Sequence, residues 1–117
     1  MVTIDDVRRV ARDLPRSQEH LIRDRVKFRV GQIVYVAFSR DETEMGFGYP
    51  KEERDALIAS DPETFHLPRP SDLRFRWVEA WLERLTVERM TELVIDAWAM
   101  TVPKKVWTAY METHRPG

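Results

Sequence analysis

Residues 23–38 read RDRVKFRVGQIVYVAF, two runs of strand-forming residues joined at a glycine. In the first run, apolar residues alternate with arginine and lysine, and this period of two is typical of a strand with one buried face. Gly31-Gln32 suits a two-residue hairpin turn with glycine at its first position. The pattern therefore predicts an antiparallel hairpin formed by residues 20–30 and 33–38.

A two-residue turn also predicts which side chains share each face of this hairpin. The core face should carry the apolar pairs of the two strands, namely Val30–Ile33, Phe28–Tyr35 and Val26–Ala37. The other face should carry three cations paired with apolar residues, namely Arg29–Val34, Lys27–Val36 and Arg25–Phe38, with Arg23 beyond them. We therefore expect a basic sheet face on which apolar side chains are interleaved.

The other elements are predicted from caps, proline and periodicity. Helices should start after Thr3, at Pro50 and after Thr86, and Pro103 should kink or restart the last one. The remaining strands are expected at residues 44–49, 65–67 and 73–82, and in the last of these Phe75 and Trp77 should face the core. The predicted order is α-β-β-β-α-β-β-α.

This order predicts an α+β fold, a two-layer sandwich with helices on one face of a single antiparallel sheet. The chain of 117 residues has the length of one domain, expected over residues 1–112, with a short polar tail at 113–117. No apolar run approaches a membrane span, and the first residues lack the pattern of a signal peptide. We therefore expect a cytoplasmic protein.

Composition excludes several function classes. With 19 basic and 20 acidic residues the net charge is -1, so a basic character can only be local. Cysteine is absent, which excludes disulfides, thiolate metal sites and cysteine nucleophiles. His20, His66 and His114 show no metal-ligand spacing, and no serine lies in a nucleophile elbow. No catalytic residue, metal or cofactor is therefore predicted.

Several short motifs, in order and spacing, resemble the MmcQ/YjbR family of small bacterial proteins. They are Phe28-Arg29-Val30-Gly31-Gln32, Gly48-Tyr49-Pro50-Lys51-Glu52-Glu53, Ala59-Ser60-Asp61-Pro62-Glu63-Thr64-Phe65, Trp77-Val78-Glu79-Ala80-Trp81-Leu82, and Asp96-Ala97-Trp98 followed by Pro103-Lys104-Lys105. The resemblance implies a frataxin-like or secretion-chaperone-like α/β fold and a DNA-binding label that rests on fold comparison. It implies no catalytic residue set.

This chain departs from the family pattern at three places. Gly31-Gln32 stands where members often carry Gly-Gly, and Ala97-Trp98 stands where a Ser-Tyr pair is common. Arg23-Asp24-Arg25 replaces the His-Pro or Gly-Pro elements that often precede the first hairpin. A family-wide function that used these positions would not carry over to this chain.

The basic face of the predicted sheet is the main candidate site. It should hold five cations able to contact phosphates, with apolar and aromatic groups among them: Arg25, Lys27, Arg29, Arg74 and Arg76. We therefore predict a non-enzymatic protein that binds nucleic acid, DNA or RNA. The alternative uses the same face for homodimerisation or for a protein partner, through Val34, Val36 and Phe38. A third interpretation is a solvent-exposed face that binds no partner.

Two further features are compatible with other functions. The segment 41–63 holds eight acidic and two basic residues, but it lacks the spacing of a metal site. A solvent-exposed turn followed by the start of a helix explains these acidic residues better than a metal site does. The four tryptophans should mainly fill the core. A pocket with convergent polar groups beside Trp77 or Trp98 would instead favour a small ligand.

Overall fold

The computed structural model describes residues 1–114, which form four α-helices and six strands. In chain order they are α1 Ile4–Ala11, β1 Ser17–Ile22, β2 Arg25–Val30, β3 Ile33–Phe38, β4 Glu44–Gly48, α2 Lys51–Ser60, β5 Phe65–His66, β6 Trp77–Trp81, α3 Val87–Ala99 and α4 Lys104–Thr113. The strands form one antiparallel sheet in the order β1-β2-β3-β4-β6-β5. The predicted α+β class, with helices against one antiparallel sheet, is confirmed.

Local signals position the helices as predicted. The Thr3 hydroxyl accepts a hydrogen bond from the Asp6 amide, and the Asp6 carboxylate accepts one from the Thr3 amide, which completes a capping box. Thr86 caps α3 by accepting from the Arg89 amide. Of the two outcomes predicted at Pro103, the helix restarts there, so that α3 and α4 are separate helices. Helix α4 includes Thr113, and residues 115–117 of the expected tail lie outside the described residues.

The predicted single strand over residues 20–30 is two strands. Strand β1 pairs with β2 from Ser17–Val30 to Ile22–Arg25, and the turn between them is Arg23-Asp24. Both turn residues have positive φ angles, 52° and 64°, as a tight hairpin turn requires. Arg23 therefore lies in a turn and not on the strand, contrary to the prediction.

The predicted register between β2 and β3 is correct only next to the turn. Val30 pairs with Ile33 and Arg29 with Val34, but a β-bulge follows and the chain beyond it is shifted by one residue. Such a shift moves every later side chain to the opposite face. The pairs beyond the bulge are Phe28–Val36 and Lys27–Ala37 in place of the predicted Phe28–Tyr35 and Lys27–Val36.

The bulge exchanges the expected faces of β3. Val36 and Phe38, expected among the cations, are completely buried, whereas Ala37 pairs with Lys27 on the other face. Tyr35, the extra residue of the bulge, is also buried, and its hydroxyl is hydrogen-bonded to that of Ser17 at 2.5 Å. This arrangement buries three large side chains on β3 where the predicted register would bury two.

The core lies between the sheet and helices α1 and α3. Trp98 of α3 is fully buried, and its indole N–H donates to the carbonyl of Pro15 at 2.8 Å. Phe47 of β4 and Val78 of β6 contribute to the same core. None of the helices in residues 1–114 combines the length and apolarity needed to cross a membrane. The sheet face turned away from α1 and α3 is called the outer face below.

The predicted strand over residues 73–82 begins only at Trp77. The segment before it contains a single 3-10 turn at Pro70–Asp72, and Phe75 is 50% exposed instead of facing the core. The guanidinium of Arg54 donates to the carbonyls of Leu73, Phe75 and Trp77 at 3.2–3.3 Å. Because a side chain satisfies these carbonyls, the segment needs no partner strand.

A candidate binding groove on the outer face

One row of paired residues crosses five strands on the outer face. Lys27 pairs with Ala37, Ala37 with Gly46, Gly46 with Glu79, and Glu79 with His66. Residues paired in this way point to the same face of a sheet. Ala37 and Gly46, between the lysine and the glutamate, have the smallest side chains of the row. The Trp77 indole covers Gly46, while Ala37 lines an open cavity.

Two adjoining cavities next to this row together form a groove. Their volumes are about 560 and 940 Å3, and they share Arg25, Lys27, Arg69 and Glu79. The sheet forms the floor, and the segment 67–76 forms a wall. The smaller cavity also reaches the end of α3 at Met100 and Thr101. We call the two cavities together the outer groove.

The outer groove carries an excess of positive charge in a chain whose net charge is -1. Six cationic side chains line it, namely Arg23, Arg25, Lys27, Arg40, Arg69 and Arg76. Four carboxylates line it as well, namely Asp41, Glu44, Asp72 and Glu79. Among these arginine, lysine, aspartate and glutamate side chains, the positive ones therefore outnumber the negative ones by two.

Two of these cations are held at the floor. Arg25 donates from Nε to the carbonyl of Phe38 at 2.9 Å, which fixes its guanidinium beside the groove. Lys27 is half-buried, and within residues 1–114 it forms no ion pair. Burial lowers the pKa of Lys27, and the neighbouring Arg25 and Arg23 lower it further. A bound anion would relieve this repulsion.

Trp77, Glu79 and Gly46 form a tightly packed unit on the floor. The Trp77 indole N–H donates to Oε1 of Glu79 at 3.1 Å. A Cβ atom on Gly46 would lie 2.4 Å from Nε1 of Trp77 and 2.9 Å from Oε1 of Glu79. The indole therefore rests on the bare backbone of Gly46, and only glycine leaves room for it there.

The Glu79 carboxyl group is in an unusual environment for an acid. Burial raises its pKa, and the nearby Glu44 carboxylate raises it further, while the Trp77 hydrogen bond and the His66 and Arg25 side chains act in the opposite direction. Burial is the largest of these causes. The net result is an acid that holds its proton to higher pH than an ordinary glutamate.

Aromatic side chains line or support one side of the groove. Trp77 and Phe75 line the smaller cavity, and Phe75 is half exposed with the Arg74 guanidinium 4.8 Å from its ring centre. In the larger cavity, His66 packs against Trp81 with ring centres 4.8 Å apart. Its Nε2 lies 2.6 Å from Oε1 of Glu44, which fixes the orientation of the imidazole. The groove thus combines cations with flat apolar surfaces.

The structure brings together only part of the predicted cation set. Arg25, Lys27 and Arg76 line the outer groove. Arg29 pairs with Val34 near the turn and is not part of the lining, and its Nε is buried without a partner in the described chain. Arg74 stands on the exposed turn before β6 and does not line the groove either.

The predicted apolar interface is not present as a surface. Val36 and Phe38 are in the core, so the prediction that they lie exposed among the cations is wrong, and the β-bulge is the reason. Val34 alone of the three reaches the outer groove. Within residues 1–114, no three histidine, aspartate or glutamate side chains converge to hold a metal ion.

Sequence analysis missed Arg69, Glu79 and the role of Trp77. Arg69 lies in a segment with no strand or helix pattern, and Glu79 is a strand residue between apolar neighbours, which gives no functional signal. The available signal was Gly46, since a glycine within a strand can mark a close approach of another group.

Comparison with known proteins shows to which family the chain belongs. The family model described as YjbR matches residues 12–100. The chain belongs to the YjbR family. Among solved structures, the crystal structure of Deinococcus radiodurans protein DR2400, with family-model domain DUF419, is similar with a TM-score of 0.76 and 21% identity, over 97% of this chain and 88% of that one. At this identity the similarity shows the fold alone. No curated protein matches this YjbR chain.

The environment of Glu79 predicts a pH dependence of stability. Because its pKa is raised in the folded protein, the native state binds more protons than the unfolded state above the ordinary value of 4.5. The free energy of unfolding should therefore fall as pH rises from 4.5 through the raised pKa of Glu79. Glu79→Gln should remove this decline, as measured by urea unfolding at a series of pH values. The exposed Glu83→Gln is the control, and an equal change in both variants would contradict the prediction.

Proposed function

We propose that this YjbR protein is a non-enzymatic binder of single-stranded nucleic acid and that the strand lies in the outer groove. The observation that supports this most directly is that cations and aromatic rings line the same groove. Arg25, Lys27 and Arg69 offer donors to phosphates, while Phe75 and Trp77 offer faces for bases. Single-strand binding sites combine these two features.

The depth of the groove favours a single strand over a duplex. Lys27 and Trp77 are half-buried, and the segment 67–76 stands beside them. The paired bases of a duplex are stacked inside and its backbone is stiff, so a duplex reaches neither group. A single strand can bend into the groove and turn its bases toward the rings. The proposed site is therefore a groove, whereas the sequence predicted that nucleic acid would bind on an open sheet face.

We expect this binding to depend on salt, but moderately. About four phosphate contacts would give a slope of roughly -3 in a plot of log affinity against log salt, because each contact with a single strand contributes about -0.7. The acidic side chains in the groove reduce attraction at long range. The measurable signature is therefore binding that is clear at low salt and weaker at physiological salt.

Fluorescence anisotropy with labelled DNA and RNA tests the proposal. Single strands should bind more tightly than duplexes of the same sequence, and a free mononucleotide should compete only weakly because it offers one phosphate. The groove variant replaces Arg25, Lys27, Arg69 and Arg76 with alanine. We expect it to lose at least tenfold in affinity, since several phosphate contacts disappear together.

A matched variant controls for net charge. Replacing Arg9, Arg12, Lys104 and Lys105 removes the same charge from exposed positions outside the groove. It should retain most of the affinity, and so should a variant with Arg29 and Arg74 replaced. Absence of binding at low salt would overturn the proposal. Equal losses in the groove variant and in the matched variant would place the binding elsewhere.

A further inference from the structure

The smaller cavity of the groove has the chemistry to recognise one base. Building on the proposed binding of single-stranded nucleic acid, we infer that this cavity takes an unstacked base and selects guanine through Glu79. The cavity has a volume of about 560 Å3 and is lined by both Glu79 and Trp77. We call it the base subsite, to distinguish it from the larger cavity of the same groove.

Phosphate binding does not explain the presence of Glu79 in the groove. Its carboxylate repels a phosphate backbone, whereas it accepts hydrogen bonds well. Within residues 1–114 it accepts one hydrogen bond, from Trp77 to Oε1, and Oε2 has no protein donor. Because the Trp77 bond holds the carboxylate in place, its free acceptor positions are oriented before any ligand arrives.

Guanine is the base whose edge fits this acceptor. Its N1–H and N2–H2 groups are adjacent donors and can bind the two oxygens of one carboxylate. Adenine and cytosine place a ring acceptor beside their amino group, and thymine and uracil place a carbonyl on each side of a single N–H. Each of these arrangements would bring a lone pair against Glu79, which disfavours binding.

The cations of the same cavity complement the other edge of guanine. Its O6 and N7 atoms accept hydrogen bonds from lysine or arginine. Lys27 and Arg25 of β2 line the cavity together with Glu79 of β6, and Ala37 and Gly46 stand between Lys27 and Glu79 in the row. Three strand spacings of about 4.8 Å separate the backbones of Lys27 and Glu79 by roughly 14 Å. Donors and acceptor thus line the same cavity from different strands, and the Trp77 indole lies over Gly46 between their backbones, where a base can stack beside it.

The test uses an oligo(dT) strand in which one central position is dT, dG, dC or dA, so that phosphate contacts are constant. In anisotropy titrations the strand with dG should bind about tenfold more tightly than the all-dT strand, as expected for a bidentate base contact. Glu79→Gln should abolish this ratio while retaining binding to oligo(dT), because the amide replaces one acceptor with a donor.

Glu44→Gln is the matched control, since it removes one carboxylate that lines the larger cavity but does not line the base subsite. The dG-to-dT ratio should remain near tenfold in this variant, although overall affinity rises for all strands. Thermal unfolding establishes that both variants fold. Equal affinity of the wild-type protein for the four strands would overturn the inference and leave the proposed function standing. No binding to any strand at low salt would instead refute the proposed function.

Discussion

Replacing Trp98 with alanine should lower the free energy of unfolding by about 3–5 kcal/mol, the usual cost of truncating a large buried aromatic residue. Trp98 is fully buried where α3 meets the loop after α1. Its ring also packs edge-on against Tyr110 of α4, with ring centres 5.1 Å apart. One side chain therefore ties three parts of the helical layer together, and urea unfolding measures the loss.

A second substitution separates packing from hydrogen bonding at this position. Trp98→Phe retains much of the ring volume but removes the indole N–H, which leaves the Pro15 carbonyl without its donor. We expect a cost of about 1–3 kcal/mol from that unsatisfied group together with the smaller ring. Trp81→Phe is the control because Trp81 is 38% exposed on the outer face. If Trp98→Phe were no more harmful than Trp81→Phe, the role given to Trp98 would be wrong.

Elements that depend on local signals were predictable from the sequence. The Thr3 and Thr86 caps, the helix after Pro50 and the turn at Gly31 all occur as expected. Each signal acts within a few residues, because a cap or a turn satisfies backbone groups of its own neighbours. These elements were sufficient to predict the α+β class.

Features that depend on contacts between distant residues were not predictable. Every residue of Ile33–Phe38 is apolar or aromatic, so the pattern could not show that a bulge at Tyr35 exchanges the faces. The turn at Arg23-Asp24 lacks the glycine or asparagine that normally marks positive φ angles. The segment before Trp77 looked like a strand because its alternation is strong, whereas its carbonyls bond to Arg54 of α2.

The sequence predicts only part of the candidate site, because some of its residues meet only through contacts between distant segments. Arg25 and Lys27 follow directly from the alternation of β2, which the bulge does not disturb at these positions. Arg69 and Glu79 reach the groove only through the folding of the segment 67–76 and the pairing of β6 with β4. A groove is formed between elements, so no single stretch of sequence contains its pattern.

Gly46→Ala should cost about 1–3 kcal/mol in the free energy of unfolding, in the range for forcing an extra methyl group into a packed site. The new Cβ would lie 2.4 Å from Nε1 of Trp77, so the indole must move. Its hydrogen bond to Glu79 would then be lost. Urea unfolding measures the cost, and the indole N–H resonance of Trp77 in a proton–nitrogen NMR spectrum reports the movement of the ring.

Gly48→Ala provides a matched control two residues along the same strand. A Cβ atom there would meet its nearest neighbours, on Ala97 and Arg76, at 3.9 Å, an ordinary van der Waals distance. Removing a glycine from the unfolded chain also restricts that chain, so this variant should be neutral or slightly more stable. Equal effects of the two substitutions would show that the indole does not need the bare backbone of Gly46. A loss confined to Gly46→Ala, with a weaker preference for dG, would link strand packing to the geometry of the base subsite.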